Sequence, residues 1–233
     1  MVTLDVALTL PVPIRRIAVD SSHFLADRME DHSNPSHFRL GEPFPGLQTG
    51  SCEPHVSLFM LWVGENEVAH VMRAVQRLAL ERSALSVRGE RYGSNSCGAT
   101  EIYFQKSPEW EELQAAVIGY VEPLRQGRVR RCDPAGVDIA ALIRALAPND
   151  PRRRQLEDFG YDEVVDTRSG GIDRFHPHVT LAWPRDAKPL ESLADLPAPS
   201  AYDGILCDLA VFGMSPYGTC TREYGRWSLA ERP

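Results

Sequence analysis

The sequence predicts an α+β fold with two related lobes, and three observations support this prediction. Segments with apolar residues at every second position occur beside segments whose apolar residues recur at helical spacing. Strand and helix patterns do not alternate regularly, and the last part of the chain is rich in strand patterns. A five-residue phrase also occurs twice, as PHVSL at Pro54–Leu58 and as PHVTL at Pro177–Leu181. No short-period repeat accompanies it, which argues against a solenoid.

The first elements follow from local patterns. Val2–Leu10 alternates and predicts an opening strand, whereas residues 11–52 are rich in Pro, Gly, Ser and His and predict mostly loop. Within that loop, Ser22–Met29 fits one or two helical turns. Pro54–Val63 is apolar enough to be a central strand. Glu65–Arg82 carries an apolar stripe at helical spacing, so an amphipathic helix is expected there.

Five further segments have strand patterns: Ala84–Tyr92, Thr100–Gln105, Phe175–Trp183, Gly204–Met214 and Tyr224–Leu229. A second helix is predicted from Pro108 towards Leu124, because Ser107 can serve as its N-cap and proline suits the first helical position.

The stretch between the second helix and the second pentapeptide is the least regular. Residues 125–160 are polar and rich in arginine, with short helices predicted around Asp138–Ala147 and Pro151–Phe159. The chain of 233 residues is long enough to bury a sizeable core. We therefore expect a single bilobal domain over residues 1–233.

The composition favours some classes of protein for this chain and argues against others. A hydrophobic fraction of 43% is typical of a globular chain, and a net charge of −7 argues against binding to long duplex nucleic acid. No apolar stretch approaches the roughly 20 residues that span a bilayer. The five cysteines are scattered without a C-x-x-C pair, which favours neither a disulfide framework nor a zinc cluster. With no signal-peptide pattern, a cytoplasmic monomer is expected.

The repeated pentapeptide is the candidate catalytic element. Residues two apart on a strand point to the same face, so His55 projects with Ser57 and His178 projects with Thr180. Two imidazoles with ordinary pKa values near 6.5 suit general acid and base catalysis close to neutral pH. The hydroxyl groups can donate hydrogen bonds to the non-bridging oxygens of a phosphate. This pattern indicates phosphodiester cleavage that needs no metal.

Two H-x-[S/T] motifs, each followed by apolar strand residues, resemble the signature of the 2H phosphoesterase superfamily, which includes LigT-like "2′-5′ RNA ligases" and cyclic phosphodiesterases. The resemblance implies two pseudo-twofold-related lobes whose antiparallel sheets line a central cleft, with helices outside and one motif in each lobe. It implies that His55 and His178 exchange protons while Ser57 and Thr180 hold the phosphate, without a cofactor. The two motifs of this chain are further apart in sequence than those of a compact member of the superfamily. The extra length lies in residues 125–170.

Five other residues are weaker candidates for substrate contact. Tyr103 and Phe175 lie on or beside strands near the motifs and suit stacking on a base. Arg168 and Arg174 are close in sequence to the second motif and suit a phosphate contact. His176 shares the face of His178, although a structural role fits it equally well.

Two groups of arginines, at 125–131 and 152–154, have the pattern that usually indicates a solvated face. The functional interpretation is an electropositive rim that guides a nucleotide or an RNA end towards the histidines.

The expected function is metal-independent hydrolysis of a cyclic phosphate on a small nucleotide or an RNA end. Three alternatives remain open at this point. One is a hydrolase of cyclic or 2′,5′-linked signalling oligonucleotides that uses the same four motif residues. Another is a protein that binds nucleotides or RNA ends without turnover. The third is a zinc protein built on His176 and His178, for which the sequence offers no matching carboxylate or cysteine cluster.

Overall fold

Antiparallel sheets and α-helices make up the part of the chain that the structure, a computed structural model, describes: residues 1–166, 168, 171–190 and 192–230. The strands are β1 (Val2–Thr9), β2 (His55–Val63), β3 (Leu85–Val87), β4 (Gly89–Ser94), β5 (Thr100–Phe104), β6 (His178–Ala182), β7 (Gly204–Leu206), β8 (Asp208–Met214) and β9 (Cys220–Ser228). The helices are α1 (Val12–Asp31), α2 (Val68–Glu81), α3 (Pro108–Val121), α4 (Ile139–Ala145) and α5 (Pro151–Phe159).

Each pentapeptide contributes an edge strand of its own sheet. The larger sheet has the strand order β2-β1-β8-β9, and the smaller sheet has the order β4-β5-β6, while β3 and β7 form a separate pair. β2 and β6, whose first residues are His55 and His178, contact each other across the two sheets. The predicted α+β class with antiparallel sheets is therefore confirmed, and the two motifs lie on different sheets.

Helix α1 is the largest departure from the sequence-based prediction, which assigned residues 11–52 mostly to loop. Its buried face recurs at helical spacing but consists largely of small or polar residues: Ile14, Ala18, Ser21, Ser22, Leu25, Ala26 and Met29. The buried hydroxyls have partners, because Ser21 Oγ accepts a hydrogen bond from Tyr202 at 3.0 Å and Ser22 Oγ accepts one from the backbone of Leu40 at 2.9 Å. The helix packs against β6, so tertiary contacts rather than apolar periodicity stabilise it.

Two segments predicted as single strands are each divided between two sheets. Ala84–Tyr92 forms β3, which pairs with β7, and then β4, which pairs with β5. Gly204–Met214 forms β7 and β8 in the same way. The crossing at Gly89 requires glycine, because a Cβ atom there would lie 1.9 Å from the carbonyl oxygen of Pro199. Alternation predicts a strand but not its partner, and the partner decides where the strand ends.

Two strand boundaries were also wrong. β6 begins at His178 rather than at Phe175, and β9 begins at Cys220 rather than at Tyr224. The early start of β9 follows from a tight connection with β8, in which the backbone N–H of Ser215 donates to the carbonyl of Thr219 at 2.7 Å.

Helices α2 and α3 agree with the prediction within a few residues. The buried face of α2 contains Val68, Val71, Val75, Leu78 and Ala79, and that of α3 contains Trp110, Leu113, Gln114, Val117 and Val121. Tyr120, also on α3, donates a hydrogen bond to Glu81 at 2.6 Å near the surface. None of the described helices combines the length and the apolar character needed to cross a bilayer.

Candidate active site

A cleft of about 240 Å³ brings the two motifs together. Its walls include His55 and Ser57 from β2, and His178 and Thr180 from β6. The two motifs lie more than a hundred positions apart along the chain, and all four of their residues line one cavity. Its volume lies just below the range of roughly 300–1,000 Å³ that is typical of small-molecule pockets.

His55 is held at two points. Its Nδ1 lies 2.7 Å from the carbonyl oxygen of Glu53, and its Nε2 lies 3.5 Å from Oδ2 of Asp5 on β1. The Sγ atom of Cys220 is 3.4 Å from the same Nε2. The side chain of Asp5 is 0% exposed and that of His55 is 11% exposed, so this contact is almost entirely removed from water.

His178 repeats this arrangement on the other sheet. Its Nδ1 lies 2.7 Å from the carbonyl oxygen of His176, and its Nε2 lies 3.7 Å from Oε1 of Glu101 on β5. Glu101 is itself held by Asn95, whose Nδ2 donates to Oε1 at 2.7 Å, and by the hydroxyl of Tyr103, which donates to Oε2. In both halves a buried carboxylate on the neighbouring strand therefore faces the motif histidine.

The backbone contacts fix the tautomer of each histidine ring, and so determine which ring nitrogen is free to exchange a proton. A carbonyl oxygen only accepts hydrogen bonds, so Nδ1 of His55 and Nδ1 of His178 each carry a proton. Each neutral ring then has its lone pair on Nε2, and each charged ring has an acidic proton there. Both Nε2 atoms are thereby suited to accept or donate a proton at the cleft.

The carboxylates also change the affinity of the histidines for protons. Burial lowers the pKa of His55, but the hydrogen bond and the charge of Asp5 outweigh burial, and the net pKa is raised. Burial also lowers the pKa of His178, but the charges of Glu101 and Glu163 outweigh burial, and the net pKa is raised above its ordinary value. A charge on His178 in turn lowers the pKa of His55. This coupling favours a state with one neutral and one charged ring.

The two motif hydroxyls are not in equivalent states. Ser57 Oγ donates a hydrogen bond to Oδ2 of Asp5 at 2.6 Å, so the same proton is not available to a phosphate. Thr180 lines the cleft and makes no side-chain hydrogen bond within the described residues. The pseudo-twofold relation therefore extends to the histidines and carboxylates but not to the hydroxyl protons.

One set of three side chains has the composition of a metal site. Asp5, His55 and Cys220 place an oxygen, a nitrogen and a sulfur atom within 4.8 Å of one another, and this set includes neither His176 nor His178. Burial first, and the charge of Asp5 second, raise the pKa of the Cys220 thiol well above its ordinary value. A zinc ion at this position would have to displace the thiol proton, and it would occupy Nε2 of His55.

The five weaker candidates lie in different places. Arg174 lines the cleft, with its Nε donating to the carbonyl of Asp162 at 2.9 Å. Tyr103 lies beside the cleft, with its ring centroid 5.7 Å from that of His178. The remaining three are away from the cleft walls. Phe175 is 1% exposed in the core, His176 is exposed and orients His178 through its carbonyl, and Arg168 pairs with Asp166 and Asp158.

Three residues at the motif histidines were not identified from the sequence: Asp5, Glu101 and Cys220. Arg130, which lines the cleft, belongs to the arginine group at 125–131 whose functional interpretation is a rim of the cleft. The sequence carries a signal for two of the three, because Asp5 interrupts the apolar run of β1 and Glu101 is an acidic residue within the short strand β5. A carboxylate in a buried strand requires a compensating partner. The partners, His55 and His178, belong to other strands, and this pairing becomes visible only in the fold.

The chain resembles three solved structures over nearly its whole length. The TT0787 protein of Thermus thermophilus is 15% identical with a TM-score of 0.54, covering 99% of this chain and 100% of that chain. Escherichia coli LigT in its apo form is 14% identical with a TM-score of 0.51, and the match covers 99% of this chain and 98% of LigT. A phosphoesterase is 14% identical with a TM-score of 0.50, covering 99% and 100%.

The sequence alone gives no such match, since no family model and no curated protein matches it. At 15% identity or less the likeness is one of fold. Together with the antiparallel sheets and the facing motif strands, it shows that this chain has a LigT-like fold.

Proposed function

We propose that this chain is a metal-independent phosphodiesterase that opens a cyclic phosphate on a small nucleotide or an RNA end. The observation that carries the proposal is the pair of Nε2 atoms, from His55 and His178, in one cleft. In each ring the Nδ1 proton is committed to a backbone carbonyl, at 2.7 Å in both cases. A pair of histidines presented in this way suits a reaction in which one proton is removed and another is delivered.

The mechanism follows from these positions. The neutral ring accepts a proton from water through Nε2 as the water oxygen bonds to phosphorus. The charged ring gives its Nε2 proton to the ribose oxygen as the bond from phosphorus to that oxygen breaks, so the pair ends with its protons exchanged. Asp5 and Glu101 stabilise whichever ring is charged. Thr180, which lines the cleft, donates its hydroxyl proton to a non-bridging oxygen in this mechanism.

Ligands of a related fold support a nucleotide substrate. Crystal structures of E. coli LigT contain 3′-AMP and phosphate, respectively. A nucleoside monophosphate is the class of product that ring opening of a 2′,3′-cyclic nucleotide generates.

The first test is turnover without free metal. With a 2′,3′-cyclic nucleotide and an excess of EDTA, we expect conversion to the linear monophosphate, measured by chromatography, at the same rate as without chelator. The reason is that both proton transfers are assigned to imidazoles. Loss of activity on chelation would contradict the proposal and favour zinc at Asp5, His55 and Cys220.

The same assay separates the proposal from two competing functions. Faster turnover of a 2′,5′-linked or cyclic oligonucleotide than of the 2′,3′-cyclic nucleotide would favour a hydrolase of signalling oligonucleotides. Tight binding of these compounds without any turnover would favour a binding protein.

A second test concerns the pH dependence. Glu101→Gln keeps the shape of the side chain and removes its charge. Because the charge of Glu101 raises the pKa of His178, its removal should lower that pKa. The limb of the pH–rate profile that His178 sets should therefore move to lower pH, and kcat/KM measured across the neutral range detects this shift.

Glu157→Gln is the matched control, because Glu157 is an exposed carboxylate that pairs with Arg153 on α5. It should leave both limbs in place. A profile of Glu101→Gln that coincides with that of the control would show that Glu101 does not act through His178.

A further inference from the structure

Arg130 is a buried cation in the wall of the cleft. It is 4% exposed, and its Nη1 atom reaches only the sulfur atoms of Met60 at 3.3 Å and Met214 at 4.0 Å. Its guanidinium lies over the ring of Tyr161, 5.6 Å from the centroid, and its Nε has no hydrogen-bond partner. Within the described ranges, Arg130 forms neither an ion pair nor a hydrogen bond to oxygen.

This environment is unusual for a buried charge. Removing a guanidinium from water is costly unless its donors are paired, and thioether sulfur is a weak acceptor. Arg125, on the same stretch of chain, is 2% exposed but donates to the carboxylate of Glu122 and to the carbonyls of Arg128 and Asp158. The Nε atoms of both arginines lack a partner. The fold pairs Nη1 and Nη2 of Arg125 with oxygen atoms, whereas Nη1 of Arg130 contacts only sulfur in the wall of the cleft.

The other two arginines that line the cleft in the described structure each have an oxygen acceptor. Arg152 pairs with Asp162, and Arg174 donates to the carbonyl of the same residue. Asp5, Asp133 and Asp162 carry negative charges that act on Arg130 from a distance, and none of them forms an ion pair with it in the described structure. Of the three arginines that line the cleft in the described structure, Arg130 is therefore the one with no oxygen acceptor, and its donors are available to an incoming anion.

We propose that Arg130 binds a phosphate group of the substrate. A planar guanidinium fork matches two phosphate oxygens. Arg130 also supplies what the β2 side of the cleft lacks, because the proton of Ser57 is donated to Asp5 whereas Thr180 on the β6 side is free. That the anion is a phosphate, rather than another oxyanion, rests on the proposed function.

The test uses binding rather than turnover, with inorganic phosphate as the probe. Arg130→Met removes the charge and keeps an apolar side chain against Met60 and Met214. We expect its affinity for phosphate, measured by calorimetry, to fall by roughly tenfold or more, the usual consequence of losing charge-assisted hydrogen bonds. Without phosphate, its melting temperature should equal or exceed that of the wild type, because a buried unpaired charge has been removed.

Arg131→Met is the matched control, since Arg131 is the neighbouring exposed arginine. It should bind phosphate as the wild type does. Affinity of Arg130→Met within twofold of the wild type would overturn the proposal. So would a fall in melting temperature accompanied by unchanged phosphate binding, which would identify Arg130 as a structural residue.

A measurement on the wild type covers the case in which Arg130→Met fails to fold. In ¹⁵N NMR of arginine side chains, phosphate should shift the Nε–H resonance of Arg130, which the spectrum of Arg130→Lys identifies by its absence. A shift confined to other arginines would overturn the assignment.

Binding measurements with adenosine monophosphate and with adenosine test whether Arg130 binds the phosphate group of a nucleotide or only free phosphate. Adenosine monophosphate should bind more tightly than inorganic phosphate, and Arg130→Met should weaken it to about the affinity of adenosine. Tighter binding of inorganic phosphate than of the nucleotide would overturn the link to substrate. Because none of these readouts requires catalysis, an inactive protein that binds phosphate through Arg130 would refute the proposed function without refuting this inference.

Discussion

His178→Asn is expected to lower kcat for a cyclic phosphate by roughly 10²–10⁴-fold. Asparagine can retain a donor to the carbonyl of His176, which His178 contacts at 2.7 Å, but it has no atom at the position of Nε2. The variant therefore loses proton transfer while keeping the local backbone contact. Steady-state kinetics at the pH optimum measure the loss, and circular dichroism should show an unchanged fold.

His55→Asn should reduce kcat by a comparable factor, and the double variant should be little slower than either single variant. Catalytic groups that act as a unit give such non-additive losses. His70→Asn is the control, because His70 lies on α2 and pairs with Glu67 near the surface. Wild-type turnover by either motif variant would refute the paired acid–base assignment.

Gln114→Leu is expected to destabilise the fold by about 2–5 kcal/mol, because it leaves several buried backbone groups unpaired. Gln114 is 0% exposed on α3. Its Nε2 donates to the carbonyls of Leu58 at 3.0 Å and Glu163 at 2.7 Å, and its Oε1 accepts from the N–H of Val165 at 2.8 Å. One amide thus connects β2 to the segment that carries Glu163 into the cleft, and urea denaturation measures its contribution.

Gln76→Leu makes the same chemical change at an exposed position of α2. Its free energy of unfolding should stay within about 0.5 kcal/mol of the wild type. Equal stability of the two variants would show that the buried amide does not hold α3 to β2.

Much of the fold was predictable because local patterns reflect burial. The apolar run after Pro54 and the apolar stripe of α2 gave elements close to the observed ones. The central position predicted for the strand at Pro54–Val63 was wrong, because β2 lies at the edge of its sheet. Helix α1 was missed because its buried face relies on residues such as Ala18, Ser21 and Ser22, which are stabilised by partners from distant parts of the chain. Strand partners were missed for the same reason, since alternation does not encode the neighbouring strand.

The candidate site likewise has features that local sequence patterns determine and features that depend on tertiary contacts. By itself the sequence determined its four motif residues, because a histidine and a hydroxyl two positions apart on a strand must share a face. Only the tertiary structure decided that both strands face one cleft, that buried carboxylates accompany the histidines, and that Arg130 alone among its neighbouring arginines enters the wall. Asp5 and Glu101 lie roughly fifty or more positions from the rings they face. The pKa values and the availability of each proton depend on those long-range contacts, which local sequence patterns do not encode.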